Sequence, residues 1–336
     1  MKAYHDLFGS VAAFGNIFNA AYGAIRGKKK DSPDVHQFFY DLESEVIRLE
    51  TELVEGDYMP RPYSTFWVRD PKLRRICCLP FRDRVIHHAV CRVLGPCFEA
   101  CSISDSFACR PEKGTHRAIT KAQQYSRSFD FFLKLDIRKF FDSVDQETLK
   151  NLLDRKFTEY PLRRLLHSII DAPVPGLPTG KGQAIGNLTS QFYANFYLTP
   201  MDHFVKQRLH VRGYLRYMDD FILFSDSKGL LHGWHAEIQD YVREVLNLEL
   251  KSRATILAPV SEGIPFLGKR IFPNLIRLDR RSRRRFIRLW KKREQAFEIG
   301  DISEDDFLRS ANSLIGHAQG ANTKELRRSF FCGIRP

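Results

Sequence analysis

The chain has 336 residues, of which 43% are hydrophobic and 12% aromatic. A chain of this length and composition can fold around a sizeable core, which excludes an intrinsically disordered protein. Its formal net charge of +13 indicates a polyanionic partner, of which nucleic acid is the commonest kind. No apolar run approaches the roughly 18 residues that a membrane span requires, so no membrane is expected among the partners.

The first third of the chain is predicted to be mainly helical. Residues 34–55 carry apolar side chains at helical spacing, which predicts a single helix. The following segment alternates around Asp70 and Pro71 and predicts a β-hairpin. A further helix is expected from residue 83 to Gly95, because the proline that follows disfavours continuation of the helix.

The middle of the chain combines strands and helices. Residues 129–141 form a β-rich run in which Asp136 lies near the end of a strand, and Asp145 is expected to cap the next helix. Further helices are predicted over 189–209 and 233–248, and short strands over 248–251 and 264–272. This order of elements favours an α+β domain built on a mostly antiparallel sheet.

The composition changes in the C-terminal tail. Of the 17 residues 277–293, ten are Lys or Arg and one is acidic. One apolar face is nevertheless expected on a helix there, and it consists of Phe286, Leu289, Trp290 and Phe297. The rest of that helix surface is cationic and suits nucleic-acid phosphates.

Six of the seven cysteines fall between residues 77 and 109, and none of their spacings is C-x-x-C. Reduced thiols packed in an intracellular core are expected. A zinc site that uses His87 or His88 is the alternative.

Asp219 and Asp220 stand side by side between two apolar, strand-like runs. Burying two adjacent carboxylates is costly unless a cation balances them. A tight turn at Met218 and Asp219 would bring both acids to one edge of a sheet, where Mg²⁺ could bind them. Because Asp136 also ends an apolar strand, the three acids together predict a two-metal site for phosphoryl transfer.

Six segments, in their order and spacing, resemble motifs of reverse transcriptases. They are 69–90 and 107–119, similar to the first two finger motifs of the bacterial retroelement enzymes; 134–143, 217–220 (YMDD) and 248–251, similar to palm motifs; and 263–268, similar to the primer grip. The resemblance covers roughly residues 38–272.

The resemblance implies the α+β right-hand polymerase fold, with fingers, a palm that contains an antiparallel sheet, and a short helical thumb. The N-terminal extension and fingers would occupy 1–125, and the palm 126–275 with a finger insertion at about 150–186. The thumb would occupy 276–336.

The segment AIGNLTSQ, residues 184–191, resembles one group of reverse transcriptases more than the others. Most relatives carry a Gln-Gly step followed by Ser-Pro here, whereas this chain has Ile185 and Gln191 in place of the glutamine and the proline. That pattern is similar to reverse transcriptases of diversity-generating retroelements, and residues 313–323 resemble the thumb of that group.

Two other interpretations remain open. The first is another bacterial reverse transcriptase, of the retron, group II intron or phage-defence type. The second is a non-catalytic RNA-binding scaffold on a polymerase fold, against which the three aspartates argue.

The resemblance implies that Asp136, Asp219 and Asp220 bind two Mg²⁺ ions, for which Mn²⁺ can substitute, with help from the backbone carbonyl of Ile137. These acids are therefore expected to be catalytic. Lys251 is implied as the proton donor to the departing pyrophosphate; the alternative is a solvated lysine after a strand.

The triphosphate of the incoming nucleotide needs cations from the fingers. The resemblance gives this role to Arg74, with Lys72 and Arg110 in support. Arg75 is the alternative to Arg74, because a one-residue slip in a strand exchanges its two faces.

The resemblance implies that three further residues lie near the incoming nucleotide. Phe141 lies where the family has an aromatic steric gate that excludes a 2′-hydroxyl; the alternative is that Phe140 and Phe141 are both core residues. Ile185 and Gln191 would lie near the nascent base pair. Isoleucine cannot make the hydrogen bond of a glutamine, so we expect weaker discrimination between right and wrong pairs, in a family that is error-prone at template adenines.

The remaining implied contacts are to nucleic acid and protein. Phe266, Leu267 and Gly268 would form the primer grip, and the thumb would hold backbone phosphates through Arg284, Arg288, Lys291 and Lys292. The implied partners are template RNA, the primer and cDNA, dNTPs, and a small basic accessory protein that is expected to be oligomeric. A bacterial or phage-encoded protein of the cytoplasm is expected.

Overall fold

The computed structural model describes residues 3–25, 32–69 and 73–331, and the chain divides into two compact units. The first unit contains Met1–Arg110, Asp136–His210 and Ala236–Arg253, and the second contains Pro111–Leu135, Val211–His235 and Ala254–Pro336. Both units are therefore built from separate stretches of the chain. The predicted division into fingers, palm and thumb stays a prediction.

The first unit is mainly helical. Its helices are α1 (Phe8–Ala12), α2 (Phe14–Ala24), α3 (Pro33–Tyr40), α4 (Leu42–Glu55), α5 (Phe81–Cys101), α7 (Phe140–Ser143), α8 (Gln146–Asp154), α9 (Tyr160–Asp171) and α10 (Leu188–His203). A two-stranded antiparallel hairpin of β1 (Ser64–Arg69) and β2 (Leu73–Cys78) confirms the predicted hairpin. Its turn at 70–72 lies outside the described residues.

Two helix predictions in this unit were wrong in their bounds. The expected single helix over 34–55 is two helices, α3 and α4, because the backbone of Asp41 leaves the helical region at φ −113° and ψ 37°.

Helix α5 does not end at Gly95 but runs through Pro96 to Cys101. The residues after the proline are well packed: the ring of Phe98 lies 5.2 Å from Phe196 and 5.6 Å from Phe157, so tertiary packing overrides the proline signal. Asp145 does cap α8, as predicted, by accepting from the Thr148 N–H at 2.8 Å.

The cysteines and His87 belong to the core of the first unit. The cysteines in the described part of the chain are free thiols, and Cys77, Cys91, Cys97 and Cys101 are buried. The Nδ1 atom of His87 lies 2.7 Å from the hydroxyl of Thr189. Among the described residues no three His, Cys, Asp or Glu side chains are grouped to hold a metal ion, and the zinc alternative stays untested.

Burial lowers the pKa of His87 from 6.5 to about 3, so we expect the protein to lose stability in mild acid. Between pH 6.5 and 3 the unfolded chain binds a proton at His87 that the folded chain does not. The free energy by which neutral His87 favours the folded state is therefore complete above pH 6.5 and declines as the pH falls towards 3. The loss by pH 5 is about 2 kcal/mol. Urea unfolding between pH 7 and 5 measures it: His87→Gln should flatten the profile, whereas the exposed control His36→Gln should not. Equal slopes in His87→Gln and wild type would contradict the assignment.

The second unit contains two sheets, which are built largely from antiparallel strand pairs. The four-stranded sheet has the order β4-β5-β3-β6 and is made of β3 (Phe131–Asp136, whose last residue belongs to the first unit), β4 (Gly213–Tyr217), β5 (Asp220–Ser225) and β6 (Ile256–Pro259). The three-stranded sheet is made of β7 (Ile264–Phe266), β8 (Lys269–Ile271) and β9 (Ile276–Leu278). A residue with a side chain would not fit at position 213 of β4. A Cβ atom there would lie 2.8 Å from both the ring of Phe129 and the Cβ of Phe224.

The other helices are α6 (Thr115–Ser128), α12 (Arg280–Glu298), α13 (Glu304–Gln319) and α14 (Lys324–Phe331) in the second unit, and α11 (Lys228–Glu244), which continues from the second unit into the first. Phe286 and Trp290 of α12 are buried in a core shared with α13, as the apolar pattern predicts. Phe297 is 42% exposed and stacks on Phe307. In the described part of the chain, no helix is both long enough and apolar enough to cross a membrane.

Candidate active site

The two adjacent aspartates lie at a two-residue hairpin turn. Tyr217 of β4 pairs with Asp220 of β5, which leaves Met218 and Asp219 as the turn residues. The turn predicted at this position is therefore confirmed. Met218 has a φ of 58°, a left-handed conformation that is costly for a residue other than glycine.

Contacts within the second unit hold this turn. The buried Arg216 donates from Nη1 to the carbonyl of Met218 at 3.0 Å. The hydroxyls of Tyr217 and Thr115 lie 3.1 Å apart, which connects the turn to the start of α6. These bonds keep a strained backbone in place, as is common where side-chain direction matters for function.

A lysine balances one of the two carboxylates. The Nζ atom of Lys134 lies 2.6 Å from Oδ1 of Asp220, and the two side chains are 12% and 20% exposed. Lys134 is on β3, which is the neighbour of β5 in the sheet. The charge of Asp220 is therefore compensated within the second unit.

Asp136 is the last residue of β3, and it belongs to the first unit. Its carbonyl accepts from the N–H of Lys251 at 2.8 Å, and the Nζ atom of Lys251 lies 3.8 Å from its Oδ1. The predicted strand over 248–251 is wrong, because Leu250 makes only an isolated bridge to Ile137. The hydrogen bonds on either side of that bridge do not use the carbonyl oxygen of Ile137.

The donors predicted for metal binding have suitable chemistry, because the carboxylates of Asp136, Asp219 and Asp220 and the Ile137 carbonyl are the hard oxygen ligands that Mg²⁺ prefers. Asp136 belongs to the first unit and the other two acids to the second. No group of three acidic, histidine or cysteine side chains is assembled in the residues that the structure describes. The metal assignment therefore stays a prediction.

A cavity of about 360 Å³ lies in the first unit. Its walls include Trp67, Arg74, Arg75, Lys139, Asp142 and Ile185. Three of these side chains are cationic and one is acidic, so the cavity suits a polyanionic ligand such as a triphosphate.

Arg74 and Arg75, the two alternatives for the triphosphate contact, both line this cavity. Arg75 pairs with Trp67 across the hairpin, and its guanidinium carbon lies 6.0 Å from the centre of the indole ring. Gly176 provides the space for this guanidinium, because a Cβ atom there would collide with it. Arg74 is on the other face of the strand, opposite Val68. The packing of Arg75 gives it the more defined position.

Lys139 is a cavity residue that the sequence analysis missed. Its φ of 45° and ψ of 44° are left-handed, and it immediately precedes α7. The signal was present, since Lys139 is the third residue after Asp136 in the palm motif. Its direction, however, depends on a backbone conformation that the sequence does not reveal.

Arg110 requires a correction. Its guanidinium donates to Glu99, at 2.8 Å from Nε to Oε2, and to the carbonyl of Ser106 at 2.7 Å. Its side chain is only 7% exposed. Because its donors are used inside the first unit, this geometry does not support the expected contact with a triphosphate. The other supporting cation, Lys72, lies outside the described residues.

The two adjacent phenylalanines differ in their environment. Phe140 is 2% exposed and packs edge-on against the ring of Tyr197. Phe141 is only partly buried, and its carbonyl accepts from the Gln183 N–H at 2.7 Å. Phe141 therefore remains a candidate steric gate, whereas Phe140 is a core residue.

Ile185 is partly buried in the cavity wall. Its carbonyl accepts from the N–H of Cys77 at 2.8 Å, so the loop that carries it is attached to β2. Gly186 has a φ of 121° and passes close to the Cys77 carbonyl, where a side chain would not fit. Gln191 is exposed on α10.

The predicted primer grip is a tight turn between β7 and β8. Phe266 pairs with Lys269, and the turn residues Leu267 and Gly268 have φ values of 49° and 76°. Lys269 is 1% exposed and donates to the carbonyl of His317 at 3.4 Å, which connects the hairpin to α13; this burial lowers the pKa of Lys269.

The predicted thumb cations share one face of α12. Arg284, Arg288, Lys291 and Lys292 are all exposed. Their helical spacing places them on the side opposite Phe286 and Trp290, which are buried. A cationic face on a helix anchored in this way is available to phosphates.

The pattern of the reverse transcriptase (RNA-dependent DNA polymerase) family matches residues 69–271, more than half of the chain. The chain is 24% identical to the group II intron-encoded protein LtrA of Lactococcus lactis subsp. cremoris over 202 residues, which are 58% of this chain and 33% of that protein. It is also 24% identical to Protein YkfC of Escherichia coli (strain K12) over 274 residues, which are 68% of this chain and 72% of that protein. The chain thus spans about a third of the length of the Lactococcus relative.

The fold is similar to that of apo telomerase from Candida tropicalis truncated from its C-terminal domain. The TM-score is 0.50 at 14% sequence identity, and the match covers 68% of this chain and 59% of that one. This likeness confirms the α+β right-hand polymerase fold that the motifs predicted.

Proposed function

The chain belongs to the reverse transcriptase (RNA-dependent DNA polymerase) family, and from this premise we propose that it is the polymerase of a diversity-generating retroelement. It copies a template RNA into cDNA that carries errors at template adenines. The observation that carries this proposal is Ile185, an apolar residue in the wall of a cavity that Arg74, Arg75 and Lys139 also line.

The metal site of the proposal uses Asp136, Asp219 and Asp220, with the Ile137 carbonyl. Two Mg²⁺ ions, or Mn²⁺ in their place, stabilise the charge on the attacking and leaving oxygens when they are bound. The hairpin turn directs the second and third of these acids. Lys251 lies 3.8 Å from Asp136 and holds a proton on Nζ that the pyrophosphate can accept.

The nucleotide site of the proposal is the cavity of the first unit. Arg75, Arg74 and Lys139 balance the triphosphate charge, and arginine suits bidentate contacts with phosphate. The ring of Phe141 lies under the sugar and excludes a 2′-hydroxyl. The partly buried position of Phe141, in contrast to Phe140, supports this assignment.

The nucleic-acid contacts of the proposal lie in the second unit. The turn of Leu267 and Gly268 holds the primer, and the exposed cations of α12 hold the backbone of the template–primer duplex without reading its sequence. The partners are template RNA, cDNA, dNTPs and a small basic oligomeric accessory protein, in the cytoplasm of a bacterium or a phage host.

Low fidelity at adenine is explained by Ile185. A glutamine at this position could donate a hydrogen bond near the nascent base pair, whereas isoleucine offers only apolar contact. A site that hydrogen-bonds its ligand rejects a poorly matched one better than an apolar site does. The backbone bond to Cys77 holds Ile185 at the cavity that we propose as the nucleotide site, which supports this role.

We expect Ile185→Gln to lower misincorporation opposite template adenine by about tenfold, the effect of one hydrogen bond of about 1.4 kcal/mol. The measurement is sequencing of cDNA made by the purified variant on an RNA template. Ile185→Val is the matched control, because it keeps the apolar wall and should keep the wild-type error rate. An adenine error rate that is the same in all three proteins would contradict the role of Ile185.

A further inference from the structure

The contact between Lys134 and Asp220 is short and sheltered. The 2.6 Å separation of Nζ and Oδ1 describes a close ion pair, and both side chains are at least four-fifths buried. An ion pair in this setting is screened less by water and salt than an exposed pair. The ion pair therefore contributes to the stability of the metal-free protein.

The strand fixes the position of this lysine. Leu133 and Leu135, on either side of Lys134 in β3, are 1% and 0% exposed, so they point into the core and direct Lys134 to the opposite face. Asp220 begins the neighbouring strand β5. The ion pair therefore joins two neighbouring strands of one sheet, and both residues belong to these strands.

We propose that Lys134 is a counter-cation that a divalent metal must displace from Asp220, so that this lysine sets the metal affinity of the site. The inference rests on the proposed function, because it takes Asp220 to be a metal ligand. An ammonium group and a metal ion compete for the same carboxylate oxygen. Lys134 is a positioning residue, which acts on the metal only through Asp220.

This competition has two opposite consequences. Without the metal, the lysine balances a negative charge beside Asp219 and stabilises the fold. With the metal, the lysine is a competing positive charge that lowers the affinity. Removal of the lysine should therefore weaken the metal-free protein and tighten metal binding at the same time, whereas loss of a merely structural residue would weaken both.

The test is a Mn²⁺ titration of the full chain without nucleotide, in which electron paramagnetic resonance measures free Mn²⁺. We expect Lys134→Met to lower the dissociation constant about tenfold and to lower the Tm of the metal-free protein, with saturating Mn²⁺ restoring it. Lys134→Arg keeps the charge and should resemble wild type. Lys228→Met is the matched control, because the Nζ atom of Lys228 lies 4.9 Å from the centre of the Phe131 ring, at the other end of the same strand.

A Lys134→Met protein that binds Mn²⁺ no more tightly than wild type overturns the proposal. Lys134→Gln takes its place if the methionine variant does not fold, and an unchanged affinity there has the same meaning. Asp220→Asn separates this inference from the proposed function. If Asp220→Asn binds Mn²⁺ as wild type does, the metal assignment itself fails; if it weakens binding while the Lys134 variants change nothing, only the counter-cation is refuted.

Discussion

Asp219→Asn should lower the rate of RNA-templated primer extension by about 10³-fold or more, since a metal-bound carboxylate supplies several kcal/mol of charge stabilisation. The substitution keeps the size and shape of the side chain, so the hairpin turn and the contact between Tyr217 and Thr115 should persist. The measurement is single-turnover extension of a primer on an RNA template with Mg²⁺. Asp136→Asn should show a loss of the same order, although Asp136 lies in the other unit.

The control for this loss is Asp226→Asn. Asp226 is an exposed aspartate of the same unit whose carboxylate accepts from the Asp130 N–H at 3.0 Å, away from the turn. It should extend primers at the wild-type rate. Duplex affinity and Tm, measured on all variants, separate lost chemistry from lost structure. An Asp219→Asn protein that extends primers within tenfold of wild type would refute the metal assignment.

Phe141→Ala should reduce the preference for dNTPs over rNTPs by about 10²-fold, because removal of the ring leaves room for a 2′-hydroxyl. The quantity to measure is the ratio of kcat/KM for dCTP and CTP opposite a template guanine. The loss should come mainly from better use of CTP, with dCTP incorporation little changed. The partly buried position of Phe141 makes this substitution tolerable for the fold.

Phe140→Leu is the companion to this experiment. Phe140 is 2% exposed, so its substitution should lower stability by about 1 kcal/mol and leave sugar selectivity unchanged. If both variants shift selectivity equally, the effect comes from general loosening of the region. If Phe141→Ala keeps the wild-type preference, Phe141 is not the steric gate.

Local sequence patterns predicted the features that depend on neighbouring residues. The turn at Met218 and Asp219 followed from two like charges between apolar strands, and its geometry is confirmed by the pairing of Tyr217 with Asp220. The cap of α8 by Asp145 is another local signal that the structure confirms. These features are set within a few residues, where backbone and side-chain chemistry leave few alternatives.

The failures concern contacts between distant residues. Proline signals an end to α5, but packing of Phe98 against α10 keeps the helix intact. Arg110 looked available to a triphosphate until its ion pair with Glu99 was visible. Lys139 was missed because its left-handed backbone places it at the cavity. In each case the deciding partner or conformation is one that spacing along the chain does not encode.

Sequencing of cDNA made by the wild-type protein shows directly whether it carries out reverse transcription with errors directed at adenine. The wild-type protein extends a primer on an RNA template of balanced composition with Mg²⁺ and all four dNTPs, and the cDNA is sequenced. We predict substitutions opposite template adenine at least tenfold more often than opposite the other three bases. A uniform error rate over all four bases would leave a reverse transcriptase but contradict the diversity-generating assignment, and absence of cDNA would contradict the polymerase itself.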